Sequence, residues 1–146
     1  MKPYRLLVAL LAMGLLVSAC SKKNETEGGG EGGGTRQCEG TALAATDIKL
    51  PADFPIPGEA VLTDASTAGP SQVVEGFYEA DLESAYNEWK EALEGAGYSI
   101  LFDEIEDKDS EISYKSKDGT TTGQIALRSE CEEAGKTFVH ITARPA

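Results

Sequence analysis

The sequence predicts an α+β fold: one amphipathic helix packed on an antiparallel sheet of about five strands. Three observations predict it. Leu82, Ala85, Tyr86, Trp89, Ala92, Leu93 and Ala96 recur at the spacing of a single helical face. Later runs alternate apolar and polar residues, with Ile112 and Tyr114, Ile125 and Leu127, and Val139 and Ile141 marking one buried side. Asp118-Gly119 and the Gly135 region supply turn residues between those runs, as an antiparallel meander requires. A helix laid across such a sheet buries both apolar surfaces.

The elements follow in chain order. Met1 to Arg5 carries Lys2 and Arg5, and the twelve residues from Leu6 to Val17 have no polar side chain. A positive start before a short apolar run predicts an export signal over residues 1–19. Spanning a bilayer as a helix takes about 20 apolar residues, so the run is too short for a permanent anchor. Residues 21–36 read SKKNETEGGGEGGGTR, with six glycines and no large apolar side chain. That composition predicts a disordered tether over residues 20–36, spanning roughly 20 to 24 Å. Residues 37–146 are then the stretch that builds a core.

Within that domain, Leu50 to Gly58 holds Pro51, Pro55 and Pro57, which remove amide donors and predict a strap rather than a helix or central strand. A short strand near Ala60 to Thr63 follows, then one over Gln72 to Glu79. Asp81 is placed to cap the helix and Glu83 suits its first turn, while Gly95 or Gly97 can take the left-handed conformation that ends it. Strands are predicted over Ser99 to Asp103, Glu111 to Ser116, Gly123 to Ser129 and Thr137 to Ala143. The acidic stretch from Asp103 to Glu111 reads as a solvated hairpin loop.

Val17-Ser18-Ala19-Cys20, directly after the apolar run, resembles the lipobox of bacterial lipoproteins. The resemblance implies that the Cys20 thiol receives a diacylglycerol, that signal peptidase II cuts before it, and that acyl chains such as palmitate hold the protein on a membrane. Each buried methylene adds about 0.8 kcal/mol, and two or more chains together give stable anchoring. It implies a lipid-anchored domain in the periplasm or at the cell surface, on the cell membrane or the outer membrane. For a Gram-negative envelope, which the sequence does not specify, the resemblance with Ser21 in place of Asp implies outer-membrane sorting. Val17-Ser18-Ala19 also meets the small-residue rule of ordinary signal peptidase, which would release a secreted protein with Cys20 unpaired. From Leu50 onward, the order of Pro-rich strap, strand, helix ending near Gly-Tyr and further strands is similar to small domains of bacterial lipoproteins. That similarity brings no activity with it.

With Cys20 committed to lipid, Cys38 and Cys131 remain as an even pair in an exported domain and are expected to form a disulfide. A redox-active thiol would want a C-x-x-C spacing or a basic neighbourhood, and neither is present.

Residues 37–146 hold 8 Lys and Arg against 22 Asp and Glu, a net charge of −14. Nucleic acid, whose binding needs clustered basic residues, is excluded as a partner on that ground. The lone histidine, His140, lies between Val139 and Ile141 and should point away from the core, with no identifiable nucleophile to activate. One histidine and two paired cysteines do not make a zinc site. Asp107, Asp109 and Glu111 are weak calcium candidates. Taken as the first, third and fifth positions of an EF-hand loop, they put Ile112 where glycine is needed and Asp118 where a bidentate Glu belongs. No catalytic motif and no cofactor site are read from the sequence.

The expectation is therefore a non-catalytic domain anchored to the membrane through lipid. It would bind an envelope protein or surface component through the sheet face away from the helix or through an edge strand. The alternatives are an envelope hydrolase using acidic residues and a calcium-binding module.

Overall fold

The computed structural model describes residues 35–146. The expected signal segment, Cys20 and the expected tether as far as Gly34 lie outside the described residues. The elements are β1 (Ala60–Ala68), β2 (Ser71–Tyr78), α1 (Leu82–Gly95), β3 (Ser99–Ile105), β4 (Asp109–Lys115), β5 (Thr121–Arg128) and β6 (Thr137–Pro145). All pairings are antiparallel, and the strands lie in the order β1-β2-β6-β5-β4-β3. An α+β domain with one helix on an antiparallel sheet is thus observed.

The sheet has six strands rather than about five: the short strand expected near Ala60 to Thr63 runs on to Ala68 and is a full member of the sheet, paired with β2. Asp64, Ser66 and Thr67 break the apolar pattern after Thr63. Gly69, at φ 59°, and Pro70 nevertheless form a two-residue turn that pairs Ala68 with Ser71 and zips the whole hairpin. A second correction concerns the acidic stretch. Only Glu106 to Lys108 form the turn; Asp103 and Glu104 belong to β3, and Asp109 and Glu111 to β4.

β2 lies second from one edge and β3 forms the opposite edge, so α1 carries the chain across the sheet. The Asp81 carboxylate accepts the Ser84 N–H at 2.9 Å and caps the helix start. At the other end Gly97, at φ 84°, turns the chain while the Tyr98 N–H reaches the Leu93 carbonyl at 2.9 Å. Leu82, Ala85, Tyr86, Trp89 and Leu93 are the buried face of α1, and β3, β4 and β5 lie beneath it. They pack on Val74, Tyr78, Ile112, Tyr114, Ile125, Leu127, Val139 and Ile141. The strap adds Phe54, whose ring centroid lies 5.3 Å from Tyr114 and 6.2 Å from Trp89. Tyr114 lies over Gly123 and donates to the Thr142 carbonyl at 2.8 Å, filling the place where a side chain at 123 would stand.

The opposite face holds a smaller cluster of Cys38, Phe77 and Phe138. Cys38 and Cys131 are joined in a disulfide, with Cα atoms 5.3 Å apart. Arg36, the last residue that composition assigns to the tether, donates its N–H to Glu130 at 2.6 Å and accepts from Glu132 at 2.9 Å. The chain therefore enters the fold through a covalently locked segment. Among the described residues, no helix is long and apolar enough to cross a membrane.

Candidate functional site

Because all strands are antiparallel and in known register, the face away from α1 can be read as rows crossing the sheet. The row nearest the disulfide runs Val61, Phe77, Phe138, Arg128, Asp109. Its β1 to β6 half is covered by the entering segment. Cys38 packs on Phe77 and Phe138, the Arg36 guanidinium lies 3.9 Å from the Phe138 ring centroid, and Lys136 Nζ lies 4.4 Å from that of Phe77.

The next row runs Asp64, Glu75, His140, Ala126, Glu111, Glu104. Four of its six side chains are carboxylates. Asp64 faces Glu75, and Glu104 faces Glu111, so two cross-strand pairs place like charges directly opposite, which destabilises a sheet. His140 Nδ1 lies 2.9 Å from Glu75 Oε1, and Gln124 donates to Glu111 at 2.8 Å. Glu104 is exposed. The third row, Ser66, Val73, Thr142, Gln124, Ser113, Phe102, is mostly polar. A groove of about 430 Å³ lies along it, lined in part by Leu101, Ser113, Gln124, Thr142 and Arg144.

The two edges of the sheet are treated differently. On β1 the Leu43 N–H bonds to the Leu62 carbonyl at 2.8 Å, so the entering segment occupies part of that edge. β3 exposes Leu101 at 59%, Phe102 at 50% and Ile105 at 43%. No Lys or Pro stands in Ser99–Ile105, although such residues commonly protect natural edge strands. A bulge between Ile100 and Phe102 turns Leu101 outward.

On the helix side of the same strand, Asp103 accepts from Lys90 at 2.6 Å and from the Tyr86 phenol. The Lys90 hydrogen bond holds the Asp103 carboxyl below its ordinary value and raises the ammonium in turn. Burial, followed by the bond to Asp103, raises the Tyr86 phenol. Asp103 is thus neutralised from within the fold, whereas no hydrogen bond or ion pair among the described residues reaches the side chain of Glu104.

The residues singled out as calcium candidates are separated. Asp107 lies in the turn, Asp109 lies 3.5 Å from Arg128, and Glu111 accepts from Gln124. Asp118 turns toward the Thr120 N–H at 3.0 Å, a bond that lowers its pKa. Among the described residues, no group of three or more His, Cys, Asp or Glu side chains is arranged to hold a metal ion. His140 points to the open face, as its position between Val139 and Ile141 implies. The acidic row escaped the sequence reading because its four carboxylates lie up to 47 positions apart, Asp64 to Glu111, and only strand order and register align them.

No family model, no curated protein and no solved structure matches the chain.

Proposed function

We propose that this chain is a lipid-anchored cell-envelope protein whose domain is a non-catalytic binding module, presenting its sheet to an envelope protein or surface component. The observation that carries this reading is the one-sided fold. α1 and the strap cover one face of the sheet, while on the other no element among the described residues covers the two rows of polar and acidic side chains. A six-stranded face of this kind offers a broad surface whose side chains are already ordered by cross-strand pairing. The lipobox-like Val17-Ser18-Ala19-Cys20 supports the membrane part of the reading.

The test is site-specific photo-crosslinking in the native host, with the crosslinker at Thr142 on the open face, at Leu101 on the β3 edge, and at Glu91 on the solvent side of α1. Capture of one and the same envelope component from Thr142 or Leu101, and not from Glu91, is the expected result. Equal labelling from all three positions, or none from any, refutes the reading. Cys20→Ser should move the protein from the membrane to the soluble fraction.

A further inference from the structure

We infer that β3 takes up an extended, cationic segment of a partner protein as a seventh strand, with a basic side chain of that segment opposite Glu104. This inference rests on the binding-module reading and names the edge and the partner's chemistry.

An edge strand presents a row of unpaired backbone N–H and C=O groups, and strand addition uses them directly. Here the chain occupies part of its β1 edge with its own backbone at Leu43 but leaves β3 with three large apolar side chains in water. Register then dictates what the added strand must carry. The residue facing Glu104 stands in line with Glu104 and Glu111, two carboxylates directly opposed, so a Lys or Arg there offsets a repulsion that is met among the described residues only by the neutral Gln124 amide on Glu111. The residue facing Phe102 should be apolar. On the helix side the residue facing Ile105 should also be apolar, while Asp103 is already satisfied by Lys90 and Tyr86 and makes no demand.

Charge decides against a second copy as the occupant. Residues 99–111 hold six carboxylates, Asp103, Glu104, Glu106, Asp107, Asp109 and Glu111, against the single base Lys108, and the domain as a whole stands at −14. Pairing two β3 strands would bring both sets together. A cationic strand is drawn to the same edge.

The test uses the lipid-free chain, Ser21 to Ala146, and two capped six-residue peptides. One has the order Thr, Val, Lys, Thr, Val, Thr; the other has glutamate in place of lysine. The expected result is amide shifts and slowed hydrogen exchange confined to β3. The lysine peptide should bind about fivefold more tightly at low salt, and the gap should close as salt is raised. Glu104→Lys, at an exposed site, should leave the fold intact and invert the preference. Equal binding of the two peptides, binding of neither, shifts centred on Gln124 and Thr142, or a dimer formed through β3 in sedimentation would each overturn the inference. The binding-module reading is judged separately: photo-capture from Thr142 but not from Leu101 removes strand addition and leaves that reading standing.

Discussion

Cutting the Cys38–Cys131 link tests how this acidic domain is held together. The two cysteines are 93 positions apart, so the bond closes most of the domain into one loop. In the loop-entropy relation, removing such a crosslink frees the unfolded chain by about 4.6 kcal/mol at room temperature. Small domains have a total stability of roughly 5 to 15 kcal/mol, so the loss takes a large share of it. In the native state the link also seats Arg36 and Cys38 over Phe77 and Phe138, and their release exposes two aromatic rings. The assay is urea unfolding of the Cys38→Ala/Cys131→Ala double variant beside the oxidised protein. With a slope of about 1.5 kcal/mol per molar urea, the midpoint should fall by about 3 M, and the slope should rise because the uncrosslinked chain unfolds to a more open state. A fall of less than about 0.7 M, corresponding to about 1 kcal/mol, would show that chain constraint is not what the disulfide supplies.

Two glycine substitutions should have opposite signs. A Cβ at Gly123 would collide with the Thr142 carbonyl and the Tyr114 phenol, so Gly123→Ala should lower stability by about 3 kcal/mol or more in thermal unfolding. Nothing lies within 4 Å of the corresponding position at Gly95, in the last turn of α1, so Gly95→Ala should raise stability by about 0.5 to 1 kcal/mol. Leu93→Ala empties a fully buried site beneath the helix and should cost about 3 kcal/mol by the same measurement. Acid should weaken the fold below pH 3.8. Hydrogen bonds hold Asp103 and Asp81 below that ordinary value, so their contribution is complete above it and is lost as the pH falls through their lowered folded values. Asp103→Asn should flatten that limb of a pH–melting profile. Alkali acts in the other direction. Burial raises Tyr98 from 10.0 to about 12, so its contribution is whole below pH 10 and disappears as the pH climbs toward 12. Tyrosinate absorbance should then appear together with loss of circular dichroism.

Local patterns in the sequence determined much of this protein. The i, i+3, i+4 recurrence from Leu82 to Ala96 determined α1 and its buried face, since a 3.6-residue period admits no other regular element. Asp81 set its start and Gly95 or Gly97 its end, a choice the structure made in favour of Gly97, and the alternation around Ile112, Ile125 and Val139 determined which side of β4, β5 and β6 is buried. The Cys38–Cys131 disulfide is the pairing that the sequence leaves if Cys20 carries lipid, as the lipobox resemblance implies. Tertiary structure alone decided that β6 returns beside β2, that β3 stands at the edge of the sheet among the described residues, and that Asp64, Glu75, His140, Glu111 and Glu104 fall into one row. Side-chain periodicity says which face of a strand is wet, but it carries no information on which strand lies next to it. Strand order and register come from long-range packing of the helix, the strap and the disulfide-locked entry segment against the whole sheet, and the candidate binding surface exists only after those contacts form.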